Sequence, residues 1–180
     1  LNTGCPLCAM GTIAPEKLPP EAKWGMMMGV SPELLVPIFK AVCEVTKVPV
    51  GFKLTPESGF PRMMYIVEEA LNAGIKFVVT THKYLAIAPP DIYNGGRGKY
   101  PLLEGMNPLG DVGGAMLKYS MYKATGMISN NIPGIECFAG GGITQPENVV
   151  EAIMLGAPAA QSMTAIATDG IQFITRVNKF

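Results

Sequence analysis

Short, mostly apolar runs that alternate with stretches of helical periodicity constrain this chain more than any other feature. Residues 48–54, 77–81, 135–139 and 159–163 read as strands. They are apolar along their length instead of alternating with polar residues, as strands covered on both faces should be. Strands separated in this way by helices build a parallel sheet. Ser31-Pro32-Glu33 offers an N-cap, an N1 proline and an early carboxylate for a helix running to about Thr46, which Pro37 is expected to kink or delay. Residues 62–73 place Met63, Ile66, Val67, Ala70 and Leu71 on one stripe, with Gly74 as a C-terminal cap. A third helix is expected over 111–127. Thr144-Gln145-Pro146-Glu147 has the form of a capping box for a fourth, closed by Gly156, and a last helix is expected over 169–178. Residues 86–108, with four prolines and four glycines, read as a long functional loop.

Four such strand–helix units make half of a (β/α)8 barrel, and the segment ending at Leu1-Asn2 reads as a strand end entering a loop, the edge of a fifth strand. The expected architecture is therefore an α/β barrel of which this chain covers about the second half, strands 4/5 to 8. A first residue other than methionine fits a fragment or a processed chain. A flavodoxin-like open sheet satisfies the same pattern, and periodicity leaves both open.

Composition narrows the partners. The 14 basic and 14 acidic residues cancel and form no basic run, so neither nucleic acid nor an anionic membrane is an expected partner, and a small molecule is. Apolar residues make up 48%, but no run approaches the ~20 residues that span a bilayer and no charged leader precedes an apolar stretch. A cytoplasmic protein is expected. The four cysteines are too sparse for the disulfide framework of a small secreted domain. Cys5 and Cys8 are spaced for a metal or a redox pair, yet no second pair exists and His82, the only histidine, is far away, so no metal site is expected. Met26-Met27-Met28 suits an adaptable buried surface, with plain core packing as the simpler reading.

Three places carry chemistry. Gly140-Gly141-Gly142 joins a strand to the capped helix at Thr144, and bare backbone N–H groups beside a helix start can cradle a phosphate; a tight turn is the plainer use. The following unit ends in Gln161-Ser162-Met163-Thr164, and in barrels the loops after the last two strands often share one phosphate. Lys53 stands near the C-terminal end of an apolar strand, where it serves as a cation against an electron-rich ring or phosphate, as a Schiff-base amine, or as half of a structural ion pair.

Leu1-Asn2-Thr3-Gly4-Cys5-Pro6, Gly29-x2-Pro32-Glu33-Leu34, Lys53-Leu54-Thr55-Pro56, Gly141-Gly142-Ile143, Gly156-Ala157 and Gln161 with Thr164-Ala165 resemble, in order and approximate spacing, the flavin barrel of the dihydroorotate and dihydropyrimidine dehydrogenases. The resemblance covers nearly the whole chain and begins at the end of that family's fourth barrel strand. It implies an FMN-dependent oxidoreductase that moves a hydride between the flavin and a CH–CH or C=C bond. It further implies that Lys53 lies near the flavin ring, that Cys5 transfers the proton, and that Gly141, Gly142, Met163 and Thr164 hold the phosphate. Thr81, Gly113 and Gly114 follow as further cofactor contacts, although the family's glycine pair before its phosphate-side helix stands here as Gly110-Asp111. Asn2 matches a substrate-binding asparagine. A redox partner subunit or domain, the N-terminal half of the barrel and an oligomer are the implied partners.

The departures concern the substrate. Where the family has an Asn-Thr pair after its sixth strand, this chain has His82-Lys83, so an amide gives way to a titratable ring and a cation. That change favours a small substrate bearing a carboxylate, a phosphate or another acceptor, although a surface histidine and a buried, chemically inert Cys5 remain the plainer alternatives. A non-catalytic, degenerate barrel subunit and a phosphate-binding Schiff-base lyase are the competing functions.

Overall fold

A computed structural model describes residues 1–4, 28–87, 89, 91–95 and 109–180. In chain order the elements are α1 (Pro32–Val45), β1 (Gly51–Lys53), α2 (Arg62–Asn72), β2 (Phe77–Val79), β3 (Tyr84–Ile87), β4 (Leu109–Val112), α3 (Lys118–Asn131), β5 (Glu136–Gly140), α4 (Pro146–Met154), β6 (Ala160–Gln161), α5 (Thr164–Asp169) and α6 (Gln172–Val177). Cys5, Cys8, Met26 and Met27 lie outside the described residues, as does most of the expected loop 86–108.

The main sheet has the order β1-β2-β5-β6 with every pair parallel. Asn2 forms a parallel bridge with Lys53, while the Leu1 amine donates to the Gly51 carbonyl and Lys53 N–H donates to the Leu1 carbonyl. The first residues thus extend the wall beyond β1. Spatial order follows chain order throughout. A flavodoxin-like sheet reverses direction at a switch point, and among the described strands no reversal exists, which sets that alternative aside and leaves a barrel wall.

The two faces of the wall differ because side chains alternate along each strand. Phe52, Val78 and Cys137 point into a core with Leu35 and Phe39 of α1, Ile66, Val67 and Ala70 of α2, and Ile128 of α3. The rings of Phe39 and Phe52 lie 4.8 Å apart, and burying each ring contributes on the order of 1.5–3 kcal/mol. Ala139 belongs to a second cluster with Met121, Ile143, Ala152 and Phe173. On the other face Phe77 stacks on Phe138 at 5.1 Å, and both remain half-buried. A Cβ on Gly51 would overlap the Phe77 ring, so glycine there makes the stack possible.

Four expectations change. The helix expected from residue 111 begins at Lys118 after a 3-10 turn, and Asp111 belongs to β4. The two ends of the expected long loop pair as an antiparallel hairpin, Tyr84 with Val112 and Ile87 with Leu109. The last helix, expected over 169–178, spans only Gln172–Val177, and a separate short helix, α5, precedes it and ends at Gly170. The cap of α4 is centred on Gln145, not Thr144: the Asn148 side chain accepts from Gln145 N at 3.0 Å and Thr144 N at 3.2 Å, so the amide three residues on does the work expected of Glu147. Helix α1 begins at Pro32 as expected, although Ser31 makes no side-chain cap bond. Pro37 sits inside it and removes the bond to the Glu33 carbonyl.

Candidate active site

The C-terminal ends of the parallel strands open into one cavity of about 290 Å³. Its walls are Lys53 from the end of β1, Thr81, His82 and Lys83 after β2, Gly113, Gly114 and Leu117 before α3, Gly140 to Ile143 after β5, and Gln161 to Thr164 after β6. Ten of the twelve residues expected at the site from sequence line it; Asn2 does not, and Cys5 lies outside the described residues. Asn2 is exposed, and its side-chain oxygen accepts from Gly4 N at 3.3 Å, which shapes the loop leaving the first strand.

One side of the cavity is built from backbone. Gly142 approaches α3 so closely that a Cβ there would come within 2.6 Å of Lys118 Cα and closer still to Lys118 N, and its φ of +77° is one that glycine alone adopts readily. The loop after β5 is thereby pressed against the start of α3. Ser162 donates to the Ile143 carbonyl at 2.8 Å and ties the β6 loop to the β5 loop. A Cβ on Gly114 would meet nothing within 4 Å. Three loops with small or backbone surfaces therefore converge, a form suited to a phosphate.

The other side is built from side chains. His82 N donates to the Leu54 carbonyl at 2.7 Å, which fixes the residue beside the end of β1. Burial, followed by the charge of Lys83, lowers the Lys53 pKa below the ordinary lysine value of 10.5. Burial also lowers that of His82, helped by Lys53 and Lys83, while Asp111 and the Lys83 backbone pull the other way. Lys83 Nζ contacts Asp111 Oδ1 at 2.9 Å. An anion placed between these cations would offset their mutual repulsion.

The hairpin that brings Asp111 here is held by Glu57, whose carboxylate accepts from Leu85 N at 2.8 Å, and by the Tyr84–Ser120 hydroxyl pair. Asp111 is the partner that sequence reasoning missed, since it had been assigned to a helix. The β-prone run Tyr84 to Ile87 was a usable signal, but its partner strand lies beyond residues 88–108, and the turn-type dipeptide Asn94-Gly95 between them sits far from both strand ends.

A family model described as dihydroorotate dehydrogenase matches residues 19–179. The chain is 32% identical over 159 residues to the catalytic subunit of dihydroorotate dehydrogenase B (NAD(+)) from Pyrococcus abyssi, covering 88% of this chain and 50% of that protein. The protein of the same name from Methanocaldococcus jannaschii is 29% identical, with 88% and 49% covered. That from Methanocella arvoryzae is 32% identical, with 83% and 47% covered. The chain spans about half the length of the curated relatives it matches. Its parallel wall of strands and helices is about the second half of a (β/α)8 barrel, and among the described residues no helix is long and apolar enough to cross a membrane.

Proposed function

The chain belongs to the dihydroorotate dehydrogenase family, and from that premise we propose that it forms the C-terminal half of an FMN-binding barrel that oxidises a CH–CH bond or reduces a C=C bond of a small cyclic or anionic substrate. The observation that carries this reading is the cavity at the strands' C-terminal ends, which brings glycine-built loops together with Lys53, His82 and Lys83. That combination matches the two demands of the chemistry: a flat cofactor with a phosphate tail, and a polar substrate beside its ring.

When bound, FMN supplies the hydride acceptor or donor. Gly141, Gly142, Met163 and Thr164 hold its phosphate, with Gly113, Gly114 and Thr81 as further contacts. Lys53 places a cation against the ring, where it stabilises negative charge that appears on reduction. Asn2, His82 and Lys83 receive the substrate, and Cys5 moves the proton on the carbon next to the one that exchanges hydride. In a whole barrel of the relatives' length, the half-buried Phe77–Phe138 face would lie against the remaining strands. The relatives are named as catalytic subunits of an NAD(+)-type enzyme, which supports a partner subunit or domain that carries electrons onward.

The test is the absorbance of the purified full-length protein. One flavin per protomer, bleached anaerobically by a dihydropyrimidine-type or related cyclic substrate, is the expected result. A folded protein with no flavin would instead establish a degenerate, non-catalytic barrel.

A further inference from the structure

His82 carries the strongest unexplained chemistry in the molecule. It is 9% exposed, it lines the cavity, and its Nδ1 is buried with no hydrogen-bond partner. Its backbone is held in place: its N–H is tied to Leu54, and Gly4 packs so close that a Cβ there would stand 2.9 Å from His82 Cβ. A buried polar nitrogen left unpaired is costly unless something binds there to satisfy it.

Its surroundings say what that ligand group must be. Lys53 at the end of β1 and Lys83 beside it are cations, and Asp111 on β4 is the opposing charge. Lys83 already spends its ammonium on Asp111 Oδ1 at 2.9 Å, and Asp111 Oδ2 is itself buried without a partner. Lys83 is thus held by the hairpin and meets a substrate only as one half of that ion pair. An anionic group entering between Lys53 and His82 finds a positive field and one unsatisfied ring nitrogen.

We propose that His82 is a specificity-determining residue, its Nδ1 donating to a carboxylate of the substrate from an imidazolium that forms as the ligand binds. The inference rests on the small anionic substrate in the function proposed above and adds a proton to its binding. In the free protein, burial and the two lysines keep the ring neutral. The ligand's negative charge reverses that balance, so one proton is drawn from solvent with each carboxylate bound. Asp111 acts through His82: its charge is the protein's own contribution toward the imidazolium, and it keeps Lys83 from adding a further full positive charge to the site.

The sign follows from linkage. A group whose pKa is low in the free protein and higher in the complex makes binding tighter as pH falls between those two values, and leaves it flat outside them. The test uses full-length, flavin-loaded protein with two probes: orotate, a pyrimidine ring carrying a carboxylate, and uracil, the same ring without it. Calorimetry in two buffers of different ionisation enthalpy, between about pH 5.5 and 8.5, should show uptake approaching one proton per orotate and none for uracil. Orotate affinity should rise by up to about tenfold per pH unit as pH falls. The variant His82→Asn should keep its flavin and lose both the uptake and the pH slope, whatever its uracil affinity. In Asp111→Asn the orotate profile should move to lower pH; an equal loss for both probes at every pH would mean that Asp111 only braces the hairpin. Flavin-loaded protein that fails to bind orotate, binds it without pH dependence, or retains the uptake in His82→Asn overturns the proposal alone. Protein isolated without flavin overturns the hydride-transfer function instead.

Discussion

The two sides of the cavity are made of different materials. The loops after β5 and β6 and before α3 present backbone and glycine, so their shape follows from chain conformation and close approach. The end of β2 presents His82 and Lys83, whose charges and orientation depend on Asp111, on a strand distant in sequence. The first side is a rigid surface that recognises a shape common to many ligands, and the second is a set of titratable groups whose meaning is set by neighbours. Altering the first should act on cofactor retention and folding. Altering the second should act on substrate and pH.

The largest effect is expected where chemistry itself is removed. Cys5→Ala should lower substrate turnover on the order of 10²–10⁴-fold, the usual share of a general acid or base, while electron exchange with the redox partner persists. Cys5→Ser should fall between, because a hydroxyl keeps the geometry and is a weaker acid. Full turnover in both variants would pass the proton role to His82.

Next is Gly142→Ala. The added Cβ meets Lys118 backbone, which has no flexible end to move, and the residue's φ of +77° penalises any side chain. A loss of about 3 kcal/mol or more in unfolding free energy is expected, together with loss of flavin. Gly114→Ala isolates the conformational part, since its Cβ would enter open space and only the φ of +79° and ψ of −157° oppose it. Its penalty should be about 1–3 kcal/mol. Equal losses in the two variants would show that close approach to α3 is not what fixes the loop.

The same contrast decides what was legible in the sequence. Gly140 to Gly142 and Met163-Thr164 could be placed because each stands at the C-terminal end of a strand-like run, and a strand-to-loop junction is a local event. Lys53 stood out as the charge ending such a run. The strand order was not legible, because flavodoxin-like and barrel sheets use the same units, and only the pairings of β1 with β2 and β2 with β5 separate them. Asp111 was misplaced for a related reason: Asp-Val-Gly-Gly ahead of a helical stretch resembles a helix start, and the competing strand is stabilised by Tyr84 to Ile87, far back along the chain. Long-range pairing overrode local propensity.

The smallest expected effect is the most selective. Lys53 ends β1 with its backbone tied to the first strand through Leu1 and Thr3, so replacing its side chain leaves the wall's hydrogen bonds in place. In Lys53→Met, oxidised FMN should therefore remain bound by the glycine side. What changes is the stabilisation of the negative charge gained on two-electron reduction: each ~1.4 kcal/mol lost lowers the potential by about 30 mV. Potentiometry of the two proteins should show a drop of that order at neutral pH. The Lys53 pKa lies below 10.5 because of burial and Lys83, so the ammonium is surrendered at a lower pH than for a free lysine. The difference between wild type and variant should shrink as pH rises through that value, since a neutral amine and a thioether stabilise the reduced ring about equally. Loss of flavin in Lys53→Met would instead make Lys53 a phosphate ligand and dissolve the division between the two sides. Retained flavin with an unchanged potential would leave the reduced ring stabilised by some other group.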